Sequence, residues 1–389
     1  MEIEMKKDID IAVEQFRQML EEQYERNQRM AADRGQKSEK SLADKSQIVI
    51  GLVPGDGIGP VIMDATRKIL EKLLASELAA GRIVLKQIDG FTIEDRLACG
   101  ETVPAEVLSQ MLTCDVILKG PTTTPNASMS GKNLESANVF LRKKLDLFAN
   151  VRPVRIPAEK IDWTFFRENT EGEYALGSRG VRVGEELAVD FKVTTYEGTQ
   201  RIARAAFDYA RTTGRNRVSI VTKANIMKKT DGDFQSICLD VAKEYPEITT
   251  DTWFVDIMAA NLVNKDIRNQ FEVFLLPNLY GDIITDEAAQ IQGGVGTAGS
   301  ANIGNNYAIF EAIHGSAPRM VEDGLAHFAN PSSLLAASVM MLNHIGLTEA
   351  AARLDCALSE ATEKYGKQMT GLPGGMSTED FGQEILLNI

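Results

Sequence analysis

The stretch QIVIGLVPGDGIGPVIMDATRKILEKLL, residues 47–74, decides the fold class. Ile48 to Val53 is a short apolar run rich in β-branched residues, the pattern of a buried strand. Pro54, Gly55, Asp56, Gly57 and Gly59 then punctuate a turn, and a helical pattern follows from Val61 to Leu74. Outward from this unit the alternation repeats. RIVLKQI (82–88), CDVILKG (114–120), WTFFRE (163–168), RVSIVTK (217–223) and FEVFLLP (271–277) read as further strands. PAEVLSQML (104–112) and GTQRIARAAFDYA (198–210) read as helices, and the chain is mostly helical from NPSSLLAASVMMLNHIG (330–346) onward. The expectation is an α/β protein with largely parallel strands.

Residues 1–46 look separate. Ile9, Val13, Phe16, Leu20 and Tyr24 recur at helical spacing and predict one amphipathic helix, packed on its own fold or on a neighbouring subunit. AADRGQKSEKSLADKS (31–46) reads as a polar linker.

Composition narrows the function classes. The chain has 389 residues, 44% hydrophobic and 25% charged, with a net charge of −13. That balance argues against a nucleic acid or an anionic membrane as partner. Four cysteines without a CxxC pair argue for a reducing compartment. No apolar run approaches the roughly 18 to 20 residues of a membrane span, and the acidic N-terminus lacks a secretory apolar region. A cytoplasmic location is expected.

Two glycine patterns invite a dinucleotide reading and do not sustain it. Gly55, Gly57 and Gly59 are spaced GxGxG. Gly294, Gly296 and Gly299 match GxGxxG but follow a predicted helix, where the fingerprint needs a preceding strand.

The chemistry gathers in clusters at predicted strand ends, where α/β folds place their ligands. ESANVFLRKKLDLFANVRPVR sets Ser136, Asn138, Arg142 and Arg152 near one another in sequence. FFRENTEGEY supplies Arg167 and Tyr174, VTKANIMK supplies Lys223 and Asn225, and FVDIMAANLV supplies Asp256, an acid among apolar residues. NLYGDIITDEAAQ (278–290) puts Asp282 and Asp286 four residues apart, on one face of a starting helix. Such a pair either caps and charges a helix start or holds a hard divalent cation. Three arginines suit a di- or tricarboxylate. Three aspartates suit Mg²⁺ or Mn²⁺, while Lys223 and Tyr174 can move protons.

Taken in order, PGDGIGP, LKGP, LRKKLDLFANVRPV, RENTEGEY, KANIMK, NLYGDIITD, GSANIG and IHGSAP resemble the isocitrate/isopropylmalate dehydrogenase family from about residue 47 to the C-terminus. The resemblance implies a large cofactor-binding domain from 47–147 and 293–389, and a smaller domain, 148–292, with an intersubunit clasp. It implies a homodimer with shared active sites. Asp282 and Asp286 would hold the metal with Asp256 of the other subunit, and Lys223 would also act across the dimer. It places the nicotinamide cofactor on Thr123, on the loop His314, Gly315, Ser316, Ala317, Pro318, Arg319 and Met320, and on Asn330.

Substrate choice turns on LESANVFLRK. Relatives acting on isocitrate carry Ser-x-Asn before x-x-Leu-Arg, and Ser136, Asn138, Leu141 and Arg142 fit. A helix cap by Ser136 is the plainer reading of that serine. The loop between Thr124 and Ser136 looks a few residues longer than usual, which leaves homoisocitrate or 3-isopropylmalate open. Arg142, Arg152 and Arg167 would bind the carboxylates, with hydride transfer to the cofactor preceding loss of CO₂. Lys223 would assist hydroxyl deprotonation, and Tyr174 would protonate the enolate. The C-terminal MTGLPGGMSTEDF resembles NAD-dependent members, so NAD is favoured; Arg319 keeps NADP as the alternative. A non-catalytic regulatory subunit would lose catalytic Tyr, Lys or Asp, and all are present here.

Overall fold

The computed structural model describes residues 2–33, 42–124, 134–176 and 179–389. Half of the expected polar linker, and most of the long loop between Thr124 and Ser136, lie outside the described residues. In chain order the strands are β1 (Ile48–Val53), β2 (Ile83–Gln87), β3 (Val116–Lys119), β4 (Ala149–Ile156), β5 (Ile161–Glu168) and the short pair β6 (Val181–Val183) and β7 (Leu187–Val189). They continue with β8 (Arg217–Thr222), β9 (Thr249–Phe254), β10 (Val273–Leu276), β11 (Gly299–Ile303) and β12 (Ala308–Ala312).

The chain forms two compact units. One comprises 38–147, 151–154 and 289–389. Its strands run in the order β2-β1-β3-β12-β11, parallel except for the β11–β12 pair. β1 is buried at nearly every position because neighbouring strands and covering helices enclose both its faces. The helix Gly59–Leu73 carries proline in its first turn, where the missing N–H costs nothing, and buries Ile62, Met63, Thr66, Ile69, Leu70 and Leu73.

The turn before that helix explains the GxGxG spacing in local terms. Gly57 has φ of 62°, and a Cβ there would lie 1.9 Å from the Ser316 carbonyl oxygen. Ile58 N donates to that same oxygen at 3.0 Å. The second glycine therefore lets this turn close against the 314–320 loop. Asp56 fixes the arrangement from below, accepting from Thr123 N at 2.7 Å and Arg96 Nη2 at 2.9 Å.

The other unit comprises 1–37, 148–150 and 155–288. Its parallel strands run β5-β10-β8-β9. Phe165 and Phe274 stack across the β5–β10 pair with ring centroids 4.3 Å apart, and the fully buried Trp163 meets Phe274 edge-on. Each such buried ring contributes on the order of 3 kcal/mol from area alone.

The N-terminal helix, Glu2–Ala32, belongs to this second unit. Its packing face differs from the one expected. Ile9, Val13, Phe16, Leu20 and Tyr24 are exposed, although Phe16 stacks on Phe191 at 4.9 Å. Met19 is buried with Ala175 and Leu176, and Arg26, Asn27 and Glu22 add polar bonds. Asn27 Oδ1 accepts from the Glu197 backbone N–H at 3.1 Å. Among the described residues, no helix is long and apolar enough to cross a membrane.

Candidate active site

Arg167, at the end of β5, is 1% exposed and organises the densest polar cluster of its unit. Its Nε and Nη2 donate to Asn278 Oδ1 at 3.0 and 2.7 Å, and its Nη1 donates to Asp282 Oδ1. Asp282 Oδ2 accepts from the Tyr174 hydroxyl at 3.0 Å. Asn278 and Asp282 both lie on the helix Asn278–Gln292, which follows β10 directly. Gly281 lets this helix ride over the arginine: a Cβ there would stand 2.5 Å from Arg167 Cγ. The glycine of NLYGD is thus a contact requirement.

Asp282 and Asp286 sit one turn apart on that helix, and neither is in its first turn, so the capping explanation of the pair fails. Asp286 is exposed and Asp282 is 39% exposed at its side chain. Two carboxylates at this spacing have the oxygen chemistry that a hard divalent cation requires. Among the described residues no third His, Cys, Asp or Glu joins them.

Asp256 lies on another helix. It opens the helix Val255–Val263 with its side chain 57% exposed. Lys223 Nζ donates to its Oδ1 at 2.5 Å, and that bond holds the Asp256 carboxyl below its usual pKa. The Lys223 backbone N–H donates to Asp231 Oδ2 at 2.7 Å, which pins the loop after β8. Lys192, 5% exposed at its side chain, lies 2.5 Å from Asp231 and 4.2 Å from the Tyr280 ring centroid. Sequence reasoning passed over Lys192, which sits in no motif.

The first unit carries the remaining residues. Ser136 stands at the N-cap of the helix Ala137–Lys144 but makes no side-chain cap bond, so capping does not account for it. Asn138 Oδ1 accepts from the Thr122 hydroxyl at 3.0 Å. Arg142 Nη2 lies 3.5 Å from Glu311, which also meets Lys119 at 3.0 Å from the adjacent strand. Arg152, on β4, is buried.

Burial alone would raise the Glu311 pKa, but Lys119 and Arg142 overcome it and bring the value down to about 2. A carboxyl with a depressed folded pKa contributes stability that is fully present above its ordinary value and lost as pH falls through the folded one. The pH window is therefore from about 4.5 to about 2, and the contribution is at most roughly 3 kcal/mol. Denaturant midpoints across that window should fall more steeply for the native chain than for Glu311→Gln. Equal slopes would contradict the ion-pair assignment.

The loop 314–320 turns sharply after β12. Ala317 adopts φ of 46° and leads into the short helix Pro318–Glu322. Thr123 and Ser316 hydroxyls are 2.7 Å apart. His314 Nδ1 donates to the Gly315 carbonyl oxygen at 3.0 Å, and burial pushes the ring pKa below its ordinary value. The imidazole is therefore neutral at pH 7, and its buried Nε2 is an acceptor with no hydrogen-bond partner among the described residues. Gly315 and Arg319 are exposed, and Asn330 Oδ1 accepts from Ser332 N at 2.9 Å.

The model of the family described as isocitrate/isopropylmalate dehydrogenase matches residues 49–385. The chain belongs to the isocitrate/isopropylmalate dehydrogenase family. Within it, the chain is 40% identical to the isocitrate dehydrogenase [NADP] of Rickettsia prowazekii, across 81% of this chain. That match spans 63% of the Rickettsia protein's length. It is 39% identical to the isocitrate dehydrogenase [NAD] subunit alpha of Macaca fascicularis, across 86% of this chain and 94% of that one. The crystal structure of isocitrate dehydrogenase from Methylococcus capsulatus superposes with a TM-score of 0.77 at 35% identity, covering 88% of this chain and 99% of that one. The match begins after the N-terminal helix, which is a feature of this chain beyond the family model.

Proposed function

We propose that this chain is an isocitrate dehydrogenase, oxidising isocitrate to 2-oxoglutarate and CO₂ with NAD as hydride acceptor and a divalent cation as cofactor. The observation that carries the reading is the Arg167–Asp282–Tyr174 cluster, in which a buried cation, a carboxylate and a phenol share one hydrogen-bonded arrangement. NADP is the second reading, favoured by exposed Arg319 and by the NADP-named relatives.

Arg142, Arg152 and Arg167 bind the substrate carboxylates through charge-assisted bonds. Ser136 and the Asn138 amide nitrogen donate to the third carboxylate, the group that isopropylmalate lacks. Lys223 assists removal of the hydroxyl proton. After CO₂ departs, the electrons of the broken C–C bond form an enolate, and Tyr174 supplies the proton that quenches its carbon. When bound, a Mg²⁺ or Mn²⁺ ion would polarise the substrate's hydroxyl and adjoining carboxylate, and the nicotinamide would accept the hydride.

Asp282 and Asp286 would hold the cation, with Asp256 of a second copy in a homodimer as the third carboxylate. His314 Nε2, Thr123, Asn330 and the 315–320 backbone would hold the cofactor.

The test is substrate choice. Ser136→Ala with Asn138→Ala removes two bonds to a charged group, each worth roughly 1.5 to 3 kcal/mol. At about 1.4 kcal/mol per tenfold, kcat/KM for isocitrate should fall by tens to thousands of fold, with malate-type substrates affected far less. Unchanged isocitrate turnover, or a wild type that prefers isopropylmalate or homoisocitrate, would overturn the substrate assignment.

A further inference from the structure

The N-terminal helix reaches the segment that carries Tyr174. Arg26 Nη1 donates to Glu171 Oε1 at 2.7 Å, and its Nη2 donates to the Thr170 hydroxyl at 2.8 Å. Glu171 is 2% exposed and lies three residues before Tyr174. Its backbone carbonyl accepts from Asn278 Nδ2 at 3.1 Å, and Asn278 in turn holds Arg167. A second acid, Glu168, is equally buried and is capped by the N–H groups of Thr170 and Glu171 at 2.9 and 2.7 Å. The turn thus folds around two buried carboxylates. Arg26 brings the charge that offsets them, and Arg201 supports it by donating to the Thr170 hydroxyl at 3.1 Å.

We propose that Arg26 is a positioning residue for Tyr174: through Glu171 and Thr170 it fixes the turn 168–174, which makes the N-terminal helix part of the catalytic apparatus. The helix lies outside the family match, so this support is a property of this chain. The polar anchoring also explains why the helix docks with its apolar stripe exposed. The inference rests on the role proposed for Tyr174, which delivers a proton within a narrow geometry and therefore responds to small displacements of the turn.

Arg26→Met keeps the stem and removes the charge. The expected result is a kcat about tenfold to a hundredfold lower with KM changed by less than about threefold, because proton delivery suffers and carboxylate binding does not. Arg17→Met, on the same helix but paired only with its neighbour Glu14 at the surface, should match wild type. In a substrate-free hydrogen-exchange experiment, amides of 168–174 should exchange faster in Arg26→Met while those of β5 keep their protection. Wild-type kcat in folded Arg26→Met, equal loss in Arg17→Met, or unchanged exchange at 168–174 would each overturn the proposal. Should Arg26→Met fail to fold, exchange in Arg26→Lys decides. A lysine keeps the charge but lacks the planar fork that reaches Glu171 and Thr170 through two separate nitrogens, so faster exchange at 168–174 supports the proposal and full protection overturns it. Exchange needs no substrate, so a wild type inert toward isocitrate would count against the proposed function while the anchoring was still measured.

Discussion

Asp282→Asn is expected to lower kcat/KM for isocitrate by about a thousandfold or more, in line with the loss of a transition-state charge contact together with a disturbed proton donor. The residue has three duties at once. It faces Arg167, which is nearly inaccessible to water, and it receives the Tyr174 proton. In the proposed mechanism it also ligates the cation. Asparagine preserves shape and one acceptor but removes the charge, so the buried guanidinium loses its counterion, a change that is costly in a dry site. Stability should drop as well as activity. Steady-state kinetics over a Mn²⁺ titration of chelator-stripped protein checks this. The apparent Mn²⁺ requirement should rise well above that of wild type, and an unchanged requirement would contradict the ligand assignment.

Lys223→Met is expected to lower kcat by about a hundredfold to ten-thousandfold, the usual cost of removing a general base. The more informative experiment mixes two inactive proteins. Lys223 and Asp256 are bonded to one another within one chain, while among the described residues Asp256 joins no metal set with Asp282 and Asp286. If both members of that pair serve the neighbouring subunit, Lys223→Met and Arg152→Ala chains refolded together should regain activity. Random pairing makes about half the dimers mixed, each with one intact composite site, so recovery should approach about a quarter of wild type. Verified mixed dimers with no recovered turnover would show that the site is not shared in this way.

Much of the fold was legible in the sequence because it rests on short-range pattern. The 47–74 unit announces a buried strand, a constrained turn and a helix within 28 residues. Other features depend on partners far apart in the chain. Glu311 carries no local sign that Lys119 and Arg142 will surround it, and Asp56 carries none that Thr123 and Arg96 will close on it. β11 and β12 escaped because GSANI and AIFEA mix polar residues into positions that the sheet buries, where Asn302 and Glu311 bond each other at 2.7 Å.

The site was legible as chemistry more than as geometry. Arginines, aspartates, a tyrosine and a lysine at strand ends pointed to a polyanion and a cation. Asn278, which holds Arg167 in place, was hidden inside the quoted NLYGD motif without a role. Asp256 stands among apolar sequence neighbours, yet a helix start leaves its polar side chain in water. Polar anchors, invisible to hydrophobic periodicity, hold the N-terminal helix within this chain.

The measurement that bears most directly on the proposed function is turnover by the purified wild-type chain alone. Isocitrate is supplied with Mn²⁺ and either NAD or NADP, and both the reduced nicotinamide and 2-oxoglutarate are recorded. The account predicts that the two products appear in equal amounts, faster with NAD, and that both cease when a chelator removes the metal. No reduced nicotinamide from isocitrate with either cofactor, or undiminished turnover after the metal is stripped, would contradict it.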